Sequence, residues 1–129
     1  MKKTVIEVIP HDQHRYETVG DYFVDKDGVN QFRVSDMGNE DYEFLVAIHE
    51  LIEEHLTRRR GLTEPEIMAF DELFEKEREE GMHSDSDEPG FDSRAPYLKE
   101  HTIATGIEML LAGHMGIDWN KYDNTVMSL

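Results

Sequence analysis

The residues best equipped for chemistry lie together in one segment, His49-Glu50-Leu51-Ile52-Glu53-Glu54-His55. On a helix, His49 and Glu53 fall one above the other, because residues four apart share a face. An imidazole nitrogen and a carboxylate at that spacing can share one metal ion. Glu50 is rotated from His49 by about 100°. From there its carboxylate could reach a water activated by that metal and act as general base. A metal needs more than two protein ligands, and further candidates follow along the chain. Asp71 and Glu75 are four apart, and His101, Thr105 and Glu108 are spaced by four and then three. His101 and Asp71 are therefore the candidate third and fourth ligands, with Glu108 as a carboxylate that orients a histidine. Mixed imidazole and carboxylate donors suit a divalent ion, zinc or manganese first and iron after them.

These residues need helices to hold them, and the apolar spacing predicts three. Phe44, Leu45, Ile48, Leu51, Ile52 and Leu56 repeat at helical period from about Glu40 to Arg60. Asn39 is the N-cap, Glu40, Asp41 and Glu43 suit the helix start, and Arg58, Arg59 and Arg60 suit its end before Gly61. Thr63 and Glu66 have capping-box spacing and Pro65 sits in the first turn of a second helix, with Ile67, Phe70, Leu73 and Phe74 inward. A third helix runs from about Pro96 to Met115 with a stripe of Ile103, Ala104, Ile107, Leu110, Leu111 and Met115. Gly116 ends it, and Ile117-Asp118-Trp119 folds back on the core. His49, Asp71 and His101 each border a stripe, so three packed helices would gather them in a cup at the bundle rim.

Ahead of the helices, Thr4 to Ile9 reads as an edge strand closed by Pro10. Asp21 to Val24 and Gln31 to Val34 read as a hairpin around Asp25-Lys26-Asp27-Gly28. Strands followed by helices predict an α+β fold, a small three-stranded antiparallel sheet and then a three-helix layer. The 129 residues suit a single domain, with a β-rich part over 1–36 and a helical part over 39–129. Residues 81–94, rich in Ser, Asp, Gly and Pro, form an acidic loop that is either a lid over the site or disordered.

Composition removes several functions. With 29 acids against 13 bases the formal net charge is −16, which opposes direct binding to nucleic-acid phosphates or anionic membranes. No cysteine is present, so disulfides and thiolate chemistry are excluded. Met1-Lys2-Lys3 is not followed by the apolar run of a signal peptide. A cytoplasmic protein is the resulting expectation. Neither Asp25-x-Asp27-Gly28 nor Asp85-x-Asp87 continues as a calcium loop, since position 12 after Asp85 is Pro96. A Gly-rich phosphate loop and a Gly-x-Ser-x-Gly elbow are both lacking. Among the other histidines, His55 and His114 read as core residues with one hydrogen bond each, and His11, His14 and His83 as solvated loop residues. Trp119 reads as a core or capping residue.

His49-Glu50-x-x-Glu53 resembles the His-Glu-x-x-His helix of zincin metallopeptidases, with glutamate in place of the second histidine. The resemblance covers about residues 28–60. It implies His49 as zinc ligand, Glu50 as base, a small sheet ahead of the helix, and a peptide or small-molecule substrate. Glu50-x-x-Glu53-Glu54 with Asp71-Glu72-x-x-Glu75 is more distantly similar to the paired acidic helix motifs of MazG-type nucleotide pyrophosphohydrolases. That likeness implies carboxylates holding magnesium against phosphates, although this chain begins with strands. A different class also stays open: a non-enzymatic acidic protein of phage type that mimics DNA and occupies a basic partner. Such a binder would show one continuous acidic face through Glu77, Glu79, Glu80, Asp85, Asp87 and Glu88, whereas an enzyme would bring His49, Asp71 and His101 together. The first helix is apolar enough to serve either the core or the seam of a homo-oligomer.

Overall fold

The β-branched run at the start extends as β1 (Thr4–Ile9), which Pro10 closes because it has no backbone donor. A single turn of 3-10 helix at His11–Gln13 follows, and an irregular stretch leads into β2 (Gly20–Val24). β2 turns back into β3 (Asn30–Ser35), with the Asp25 carboxylate accepting from the backbone N–H groups of Asp27 and Val29. This is the expected hairpin, and it is antiparallel. β1, however, pairs with β3 in parallel, from Thr4 opposite Asn30 to Ile9 opposite Ser35. The sheet is therefore mixed, in the order β1-β3-β2, which corrects the all-antiparallel expectation. The segment after Pro10 carries the chain past the centre of the sheet to its far edge, so the hairpin returns β3 beside β1 and in the same direction. Parallel neighbours require such a crossover. The computed structural model describes residues 3–129; Met1 and Lys2, part of the start read above as lacking a signal peptide, lie outside the described residues.

Four helices follow where three were expected. α1 (Glu40–Arg59) starts where the Asn39 side chain accepts from the Tyr42 N–H. α2 (Glu64–Glu79) starts at the Thr63 and Glu66 capping box. α3 spans Leu98–His114. The segment after Gly116 is not a simple fold-back but α4 (Trp119–Met127), capped by the Asp118 carboxylate on the Lys121 N–H. No described helix is long and apolar enough to cross a membrane.

Two apolar clusters form. One joins Val34, Leu45, Val46, Ala47, Ala112 and Tyr122, with Trp119 packed against it. The other joins Ile67, Phe70, Phe74, Ala95 and Tyr97. α1 and α3 run antiparallel, since His49 meets Glu108, Glu53 meets His101 and Arg60 meets Glu100. The face that α3 buries is Glu100, Ala104, Glu108 and Ala112. This displaces the expected stripe: Ile103, Ile107 and Leu110 are exposed and only Ala104 is fully enclosed. The reason is that every acid on the inner face finds a partner, while the alanines let the two helices approach closely. The polar flank expected at the rim is thus the middle of the packed face.

Two core substitutions test this packing. Leu45→Ala, at a fully buried site, is expected to lose about 2–5 kcal/mol of stability. Ala104→Leu keeps helix propensity but overfills the α1–α3 contact, and is expected to lose about 1–3 kcal/mol. Denaturant midpoints measure both.

Candidate metal centre

α1 presents His49 and Glu53 one turn apart, and antiparallel α3 brings His101 opposite them. His49 Nε2 lies 3.1 Å from Glu53 Oε2 and 3.2 Å from His101 Nδ1, and Glu53 Oε2 lies 2.8 Å from His101 Nδ1. Three ligand atoms of three residues thus form one small triangle, a group that could hold a metal ion. A tetrahedral ion with bonds of about 2.0–2.1 Å places its ligands roughly 3.3–3.4 Å apart. The triangle fits such an ion after opening by roughly half an ångström.

The outer side of the triangle is fixed as well. His49 Nδ1 lies 2.6 Å from Glu108 Oε1, and the Tyr122 hydroxyl donates to Glu108 Oε2 at 2.5 Å. A carboxylate on the far nitrogen selects the tautomer that turns the Nε2 lone pair toward the triangle. The His101 ring stands edge-on to Phe91 at 4.5 Å and to His49 at 4.7 Å. Its Nε2 is buried without a hydrogen-bond partner among the described residues, with Glu88 Oε2 4.0 Å away. Gly90 closes directly on this ring, since a Cβ there would lie 2.5 Å from the imidazole. A Cβ on Gly20 would similarly lie 2.7 Å from Glu50 Oε1, so the β2 backbone supports the Glu50 carboxylate.

A cleft of about 120 Å³ opens beside His49 and His101, with Glu50, Glu88, Glu108 and Asp123 on its walls and neither lysine nor arginine among its lining residues. A larger hollow of about 200 Å³ lies elsewhere, between the hairpin, α1 and α2, against Tyr22, Phe23, Phe32, Leu62 and Ile67. It contains none of the three triangle residues, so the smaller cleft is the chemical one.

Burial and charge act together in this group. Burial disfavours the His49 cation, but the hydrogen bonds to Glu108 and Glu53 outweigh it and hold its pKa up at about 11. His101 behaves alike, with Glu53 beside it, at about 9. The two histidines pull Glu53 down to about 2 against its burial. Glu50 lacks such partners, and burial and the neighbouring Glu53 push it up to about 8.

The segment expected as a lid or a disordered loop is ordered. Arg94 binds Glu77 and Asp92, and Arg78 donates to the carbonyls of Ser84 and Asp87. These ties place a 3-10 turn, Pro89–Phe91, against His101. Of the expected residues, His49, Glu53, His101, Glu50 and Glu108 converge. Asp71 stays outside the ligand group: it accepts from the Tyr97 hydroxyl, and its burial lifts its pKa to about 6. Glu75 pairs with Arg78 on the surface. Tyr122 and Gly90 were not singled out in the sequence, and Glu88 only as part of an acidic binding face; Trp119, Tyr122 and Val126, at helical spacing behind Asp118, are the signal that a fourth helix would deliver Tyr122. His55 and His114 are exposed and not core residues. His11 and His14 are half-buried, both bonded to the Ser35 hydroxyl, and His83 stacks on Phe74 at 4.0 Å.

Raised histidine pKa values fix a sign for stability. His49 and His101 contribute fully below about pH 6.5, and the contribution is lost as pH rises towards 9 and then 11. Glu50, with its own raised pKa, adds a loss of the same sign up to about pH 8. The melting midpoint of chelator-treated protein is therefore expected to fall from pH 6.5 to 10, and to keep falling in Glu50→Gln. A flat profile in that variant would contradict the histidine assignment. Compared with family models, curated proteins and solved structures, the chain gives no match to any of them.

Proposed function

We propose that the chain is a cytoplasmic metal-dependent hydrolase centred on His49, Glu53 and His101. The observation that carries this reading is the triangle of ligand atoms with Glu108 hydrogen-bonded to the far side of His49. Zinc is the first choice of ion and manganese the second, given two imidazoles and a carboxylate. Three protein ligands leave a coordination position open, the arrangement of catalytic and not structural zinc. Such an ion supplies Lewis acidity and lowers the pKa of bound water.

Glu50 is the proposed base. It shares the cleft with both histidines, and a divalent ion bound beside it would favour its carboxylate form, ready to take a proton from water. Glu108 and Tyr122 position His49, and Phe91 with Gly90 position His101. The walls of the cleft favour an ester or amide of a small molecule or peptide over a phosphate ester, since they offer four carboxylates and neither lysine nor arginine. The nucleotide pyrophosphohydrolase reading needs the acids of α2 to join those of α1. Asp71 held by Tyr97 and Glu75 held by Arg78 weigh against it. The acidic-binder reading needs free carboxylates along residues 77–88. Glu77 and Asp87 are already engaged by Arg94, His83 and Ser84.

Elemental analysis of purified protein beside His49→Ala is the test. About one equivalent of zinc or manganese is expected in the wild type and little in the variant. Glu50→Gln is expected to keep the metal while hydrolysis falls by about 100-fold or more. Protein that carries no metal and takes up no added zinc would overturn the reading.

A further inference from the structure

α3 turns its most apolar side away from the core. Leu110 is 74% exposed, Ile103 and Met109 are 50% exposed, and Ile107 is 36% exposed. On its neighbour α1, exposed Phe44 and His55 and half-buried Ile48 and Leu51 follow one another at helical spacing outside the buried Leu45-Val46-Ala47. Scattered apolar residues on a surface are ordinary; stripes on two packed helices mark an interaction face.

The spacing on α3 is that of a helix–helix seam. Ile103, Gly106, Ile107, Leu110 and Gly113 recur by threes and fours. Gly106 and Gly113 stand within the helix, where glycine is unfavourable relative to alanine. Among the described residues, nothing beyond the helix's own backbone and the flanking residues lies within 4 Å of the position a Cβ would take at either. Internal packing therefore does not require them, whereas close approach of another helix would.

Charge decides what covers the face. The chain has 29 acids, yet the only two on α3, Glu100 and Glu108, are both buried. Between Phe44 and His55 the outer stripe of α1 carries no acid either, the exposed Glu40 and Asp41 lying only at its start. A basic partner would seek carboxylates and finds none here. Two copies with net charge −16 repel over most of their surface. A face free of acids is where they can meet. An isologous contact also requires one patch to complement itself, which an uncharged apolar seam with small residues does.

We propose that two copies of this chain associate through the outer faces of α1 and α3, packing four helices across a two-fold axis. This inference is independent of the metal reading. Sedimentation equilibrium of the full chain in chelator is the experiment, at low and high salt. A species of twice the chain mass is expected, and it should tighten with salt as repulsion is screened. Leu110→Lys, at an exposed site, should weaken association by more than about tenfold. Helix content and zinc uptake should not change. Gly106→Leu, whose side chain enters open space in the single chain, should weaken association likewise. A wild type that stays monomeric up to about 1 mM would overturn the proposal. So would a dimer indifferent to both substitutions, or one that salt dissociates.

Discussion

A histidine buried between two carboxylates organises this structure. His49 sits with Glu108 on one ring nitrogen and Glu53 on the other. Taking such charges out of water is costly unless each has partners in good geometry. The surroundings supply them: Tyr122 completes Glu108, His101 completes Glu53, and Arg60 covers Glu100 at the end of the same face. The group lies between the two apolar clusters and reaches both, through Tyr122 on one side and Tyr97 on the other. Removing any one partner leaves a buried charge uncompensated, so the helices are held in one relative register. The same atoms can exchange their shared protons for a divalent ion, because imidazole binds a metal only in its neutral form. The geometry that holds these hydrogen bonds is also one that could hold a metal ion.

Much of the site was legible because it rests on helical spacing. The four-residue step from His49 to Glu53 needs no tertiary information. His101 and Glu108 were legible as a pair on one helix, and caps at Asn39 and Thr63 set the boundaries that phase them. What spacing could not give was which face turned inward. Periodicity assumes that a helix buries its apolar side, and α3 buries Glu100, Ala104, Glu108 and Ala112 instead. That arrangement is stable only because residues some 40 to 59 positions away supply the partners, and no local pattern records them.

The sheet failed for a related reason. Hairpin chemistry at Asp25–Gly28 is local and was readable. Whether β1 joins the near or the far edge of that hairpin depends on the route of residues 10–19, where turn signals are weak. Arg15 fixes that route by gripping the buried Asp21 through two hydrogen bonds, and His11 with His14 anchors it on Ser35. Single polar residues in an irregular stretch thus set the strand order.

The separation of His49 from Glu108, 59 residues along the chain, also bears on how the molecule assembles. The hairpin and α1 are neighbours in sequence and can form with short loop closures. α3 must return across α2 and the acidic segment, against a larger entropy of closure. Without α3, His49 lacks its Glu108 partner and Glu53 its His101 partner. Docking of the helix brings the Glu108 carboxylate onto the imidazole, which raises the pKa of His49, so folding favours the protonated ring above neutral pH.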